Sequence, residues 1–166
     1  MPRSRLVNAL YIRNIVFGGE DSLVSTVGLL SGITAGGVSR ENIILTGVVL
    51  IFVEALSMGV GSFLSEDTSE QYLKQNNREG NHAKMGAGIM FISYLILGCI
   101  PLFPYIIFSL ETAFWASIIV SVIALFFLGT FSGHELKRNV IRSSFKMAVL
   151  GGSTIAVGVV VGKLIQ

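Results

Sequence analysis

Five runs of roughly twenty apolar residues, at about 15–37, 43–63, 85–108, 113–132 and 145–165, dominate this chain and restrict what it can become. Twenty residues at 1.5 Å each span the roughly 30 Å of hydrocarbon in a bilayer. Within lipid the backbone must satisfy its own hydrogen bonds, which leaves helices or closed barrels, and runs of this length select helices. The composition agrees. Half the residues are apolar (52%), 13% are charged, the mean hydropathy is +0.73 and there are 19 glycines. The expected fold class is therefore an all-α integral membrane protein with five transmembrane helices, a single transporter-sized domain over residues 1–166.

Charge sets the orientation. Arg3, Arg5, Arg13, Lys74, Arg78, Lys84, Lys137, Arg138, Arg142 and Lys146 fall on one side of the five spans, and Arg40 and Lys163 on the other. Basic residues accumulate on the cytoplasmic side, so the N-terminus and the long segments 65–84 and 133–146 are expected there, with the C-terminus outside or in a lumen. Residues 3–14 mix Arg3, Arg5, Asn8 and Arg13 with Leu6, Val7, Leu10, Tyr11 and Ile12, which predicts an amphipathic helix in the headgroup region, turned into the bilayer at Gly18 and Gly19. The start MPRSRLVNALYIRN lacks a cleavage site after a clean apolar core and reads as mature sequence. Cys99 is the single cysteine, which excludes an intrachain disulfide. The basic residues form no stripe, so no nucleic-acid partner is expected.

Three acids lie inside the spans: Glu20 and Asp21 in the first and Glu54 in the second. A charge at membrane depth is expensive and marks a functional position. Asp21 and Met58 each lie about five residues, roughly 7 to 8 Å, below the same face, and Glu54 stacks one turn beyond Met58. A carboxylate, a thioether and a second carboxylate stepping into the membrane form a candidate ion pathway, and a thioether shifts preference from Mg2+ and Ca2+ toward Fe2+, Mn2+, Co2+ or Zn2+. Gly28, Gly32 and Gly36 recur every four residues on the side of Asp21 and predict a close helix contact. If that groove meets its own copy across a two-fold axis, the protein is a homodimer through the first helix, with two Asp21 side chains at the interface. Glu20, on another face, and Met85, Met90 and Met147 read as structural. No Ser-His-Asp, Cys-His or zinc constellation lies within the spans, so an enzyme is not expected and no cofactor is implied.

The stretches "RNIVFGGEDSLVSTVGLLSGITAG" (13–36), "ALSMGVGSFLSEDTSEQY" (55–72), "IPLFPYII" (100–107) and "FKMAVLGGSTIAVGVVVGKLI" (145–165) together resemble the vacuolar iron transporter family. The resemblance implies a five-helix homodimer that carries Fe2+ or Mn2+ out of the cytosol in exchange for protons, with the ion as substrate and the path between the two first helices. Asp21 falls on the family's membrane aspartate, Met58 on the methionine of its Ser-Met-Gly motif, and Pro101 and Pro104 on paired prolines expected to distort the third span. The chain departs from the family at Ser22, where a glycine is common, and at Leu50, where many members keep a glutamate; here the acid is Glu54.

Eukaryotic members insert a three-helix metal-binding domain where this chain has only "SEDTSEQYLKQNNREGNHAK". Glu66, Asp67 and Glu70 are candidates for a small acidic vestibule there, joined by His82, against a plain solvated helix start capped by Ser65. His134 and Glu135 read as an interfacial pair. The membrane is the plasma membrane for a prokaryotic chain and a vacuolar or other organelle membrane for a eukaryotic one. The competing function is a non-transporting scaffold or assembly subunit whose acids stabilise helix pairing.

Overall fold

A computed structural model describes residues 3–73, 81–137 and 139–165. Lys74, Arg78 and Arg138 of the charge count lie outside the described residues. The described chain is helical: α1 (Arg3–Ala35), α2 (Arg40–Leu73), α3 (Asn81–Ile107), α4 (Leu110–Glu135) and α5 (Val140–Ile165). By length and composition α2, α3, α4 and α5 are able to cross a membrane. This makes the chain an integral membrane protein. The exception, α1, is diluted by its acids, serines and glycines.

The least apolar helix occupies the centre. α1 packs against all four others, and its buried face runs through Asn14, Gly18, Gly19, Ser22, Leu23, Thr26, Val27 and Leu30. Leu23 joins Leu125 and Leu128 of α4, while Leu30 joins Ile43, Ile51, Leu102, Tyr105 and Ala113. The outer helices turn large apolar side chains outward, such as Phe52, Val53, Leu56 and Val60 on α2 or Trp115, Ile119 and Phe127 on α4. An exposed apolar surface on that scale suits lipid, not water.

The amphipathic segment 3–14 is not a separate element. Gly18 and Gly19 do not turn the chain; they let α1 approach α3 and α4, since an added Cβ would strike Met90 at Gly18 and Leu97 at Gly19. With α3 packed against those glycines, α1 runs unbroken from Arg3. α2 likewise continues past Ser65, which sits within the helix, accepting at its carbonyl from Ser69 Oγ (2.8 Å) instead of capping a new one. α3 stays helical through Pro101 and Pro104. Ser117 Oγ of α4 donates to the Pro101 carbonyl (2.7 Å).

α1 ends at Gly37, whose φ of 74° suits a residue without a Cβ. Val38 N–H donates to Ile33 O and Gly37 N–H to Thr34 O, the paired bonds that close a helix C-terminus. Arg40 then reaches across to α3, donating to the Tyr105 carbonyl (2.8 Å) and the Ile106 carbonyl (2.6 Å). A cation is favoured there because the last carbonyls of a helix lack donors and carry its negative dipole end.

The Gly28, Gly32 and Gly36 ridge finds its partner inside the chain. α5 lies parallel to α1, and Gly28, Gly32 and Gly36 face Thr154, Gly158 and Gly162 in order. Within the protomer the ridge packs against α5, and the same glycines line an open groove of about 540 Å³ between the two helices. Added Cβ atoms at Gly158 and Gly162 would collide with the carbonyls of Gly28 and Gly32, whereas one at Gly152 would meet nothing within 4 Å. Gly162→Ala should accordingly lower stability by about 1–3 kcal/mol, the range for overpacking a close contact. Gly152→Ala should raise it by up to about 1 kcal/mol through helix propensity. Thermal unfolding of the two variants in detergent reads the difference; equal shifts would contradict the assigned packing.

Candidate functional site

Two contacts fix how α1 and α2 lie against each other. Near one end Asn14 Nδ2 donates to Ser62 Oγ (3.1 Å) and Glu66 Oε1 (2.8 Å). Near the other, Gly47 packs against Leu30. The helices are antiparallel, so counting seven residues on from Asn14, or nine back from Leu30, places Asp21 opposite the turn that holds Glu54 and Met58. Equal depth, expected from the sequence, follows here from the packing register.

Burial shows which way the groups face. On α2 the buried line is Ile51, Ala55, Gly59, Ser62 and Glu66, and Leu50, Glu54 and Met58 form a half-buried line beside it. On α1 Glu20, Asp21, Val24 and Ser25 are half-buried and Phe17 is exposed, so this is the side of the central helix its neighbours cover least. Farther along the same side, Ser25, Leu29 and Ile33 line an open groove of about 540 Å³ with Val157 and Val161 of α5. Asp21 lies within electrostatic range of Glu54. Two like charges in a poorly solvated place favour a cation between them.

Tyr94 of α3, which the sequence reading passed over, completes this region. Its ring is fully buried, its hydroxyl pairs with Ser25 Oγ (2.7 Å), and its carbonyl accepts from Ser22 Oγ (2.6 Å). Both Asp21 and Glu54 act electrostatically on that hydroxyl. The available signal was a phenol inside an apolar run, since a buried Tyr hydroxyl needs a partner. Glu20 instead lies within electrostatic range of Lys146 of α5. Among the described residues no three His, Cys, Asp or Glu side chains converge as a metal centre. A metal held here would need Met58, backbone or hydroxyl oxygens, or groups from elsewhere.

The trio Glu66, Asp67 and Glu70 is divided. Glu66 points inward, 6% exposed, and forms an ion pair with Arg13 (2.9 Å). Asp67 accepts from Gln71 Nε2 (2.7 Å) at the surface, and Glu70 is half-buried one turn beyond Glu66. His82 meets the Tyr11 hydroxyl at 3.3 Å rather than these acids. His134 and Glu135 are both exposed at the end of α4.

Comparison with known proteins accounts for this arrangement. A family model described as the VIT family matches residues 12–86 and 76–163. The chain is 21% identical to a vacuolar iron transporter of Arabidopsis thaliana, covering 93% of this chain and 86% of the relative. It is 21% identical to a vacuolar iron transporter of Toxoplasma gondii, covering 94% and 74%. It is 29% identical to an uncharacterized protein of Methanocaldococcus jannaschii, covering 87% and 84%. The plant alignment runs for 215 positions, longer than this chain, whereas the archaeal one runs for 163. The plant relative thus contains residues that this chain lacks, and the two matched stretches of the family model overlap at 76–86, which takes in the start of α3. The chain belongs to the VIT family.

Proposed function

We propose that this protein moves a divalent transition metal, Fe2+ or Mn2+, out of the cytosol in exchange for protons, with Asp21, Glu54 and Met58 as the groups that meet the ion. The observation that carries this reading is the placement of Asp21, on the least covered side of the central helix, opposite the turn of α2 that holds Glu54 and Met58. Family membership and relatives named as vacuolar iron transporters support the cargo class. They also speak against an enzyme.

The cation neutralises the two acids, which removes the electrostatic penalty of leaving them in the membrane. Met58 offers a soft donor and discriminates against Mg2+ and Ca2+. When the ion leaves, protons take its place on the carboxylates, and this exchange couples the two flows. From one protomer the site draws on the carboxylates of Asp21 and Glu54. A second copy apposed through the same side of α1 would double the donor set and shield the acids from lipid, so a homodimer is part of the proposal. The membrane is an organelle's or the plasma membrane, according to the cell that makes the chain.

Proteoliposomes holding a metal-sensitive dye test the reading. Met58→Leu with Glu54→Ala should reduce Fe2+ and Mn2+ flux by about tenfold or more, the scale for weakening a metal site. Unchanged flux would remove these residues from the path. A second measurement separates an ion site from a structural pair of acids. Asp21→Asn should abolish flux yet raise metal-free stability by on the order of 1 kcal/mol, because a strained functional site is relaxed. Adding Mn2+ should stabilise the parent chain and not the variant. If Asp21→Asn instead unfolds the helix bundle, the acid is structural.

A further inference from the structure

At the end of the bundle that carries the N-terminus, a buried oxygen cradle is held shut by an arginine. Glu66 Oε1 accepts from Arg13 Nη2 (2.9 Å), Asn14 Nδ2 (2.8 Å) and Ser62 Oγ (3.1 Å). Glu66 Oε2 is buried and, among the described residues, has no hydrogen-bond partner. Arg13 also donates from Nε and Nη2 to Asn14 Oδ1, both at 3.3 Å. One guanidinium thus engages a carboxylate and an amide oxygen that, with the Ser62 hydroxyl, form an oxygen set suited to a hard or borderline divalent cation.

Three features distinguish this from an ordinary ion pair. All donors converge on one carboxylate oxygen, whereas a buried carboxylate that serves only structure gains by having both satisfied. The partners are unequally anchored: Arg13 is 58% exposed and free to swing outward, while Glu66 is 6% exposed and fixed. Gly86 of α3 packs closely against Oε2, and an added Cβ there would run into that oxygen and into Asn14 Nδ2. Glu54, Met58, Ser62 and Glu66 also follow one another at four-residue intervals on α2, which puts the cradle about 12 Å from Met58 and about 18 Å from Glu54 along the helix axis at 1.5 Å per residue.

We infer that Glu66, Asn14 and Ser62 form a capture site for a divalent metal ion at the mouth of the pathway, with Arg13 as a tethered cation that occupies it until the metal displaces it. The role in transport rests on the function proposed above; the binding itself does not.

The test uses the full chain in detergent with Asp21→Asn and Glu54→Gln already present, so that the site deeper in the membrane contributes no carboxylate. Mn2+ binding is followed by the electron paramagnetic resonance signal of the free ion. Adding Arg13→Gln should tighten Mn2+ binding by about tenfold or more, to one ion per chain, and adding Glu66→Gln should remove that gain. Because loss of Glu66 also removes a buried contact, Gly86→Ala on the Arg13→Gln protein provides a second arm and should weaken binding several-fold by crowding Oε2. Failure of Arg13→Gln to tighten binding overturns the inference, as does tightening that survives Glu66→Gln or is untouched by Gly86→Ala. None of these outcomes depends on flux, so failure here leaves the transport reading standing.

Discussion

A helix that carries Glu20 and Asp21 at membrane depth cannot be exchanged for any of its four neighbours, because a charged side chain facing hydrocarbon costs at least about 2.5 kcal/mol. The bundle meets this constraint by enclosing α1. Asn14 is hydrogen-bonded by α2 and Ser22 and Ser25 by α3, its glycines admit the backbones of α3 and α5, and the apolar load needed to face lipid is carried by α2 to α5. The side left least covered is the one with Asp21. The arrangement therefore concentrates the polar chemistry of the chain along one line and leaves it accessible.

The same constraint explains how much could be read before the structure. Apolar runs gave the helix count because hydrocarbon thickness imposes a length, and the depth of Asp21 against Glu54 and Met58 was legible because helical rise is constant. The glycine spacing announced a close contact but not its partner: Gly28, Gly32 and Gly36 fit a copy of α1 or α5 equally well, and only tertiary packing chooses. Gly18 and Gly19 misled for a related reason, since glycine serves a bend and a close approach alike. Asn14 looked like headgroup-level polarity, although its amide is buried against α2. Its true partners, Ser62 and Glu66, lie some fifty residues away in sequence and leave no local signal.

Family membership narrows the class of cargo, while the details of this chain set its own terms. Glu54 presents its carboxylate one turn beyond Leu50 on the same half-buried line of α2. The region between α2 and α3 is short, yet α2 itself extends to Leu73 and brings Glu66 inward against α1. The polar groups Asn14, Ser62 and Glu66 are thus built into the helices themselves. Coordination, packing and helix register are for that reason hard to separate in this protein, and a single substitution at Asn14 or Ser62 touches all three.

Arg40 bears on how the chain is threaded during synthesis. It is one of two basic residues on the side that orientation rules leave nearly free of positive charge, and it sits directly at a short turn. Both of its donating arms end on carbonyls of α3, so in the finished protein its charge is matched by a helix terminus instead of standing free in solvent. Because α3 is made after Arg40, that pairing forms only once the later helix has arrived, and it ties the turn between α1 and α2 to the end of α3.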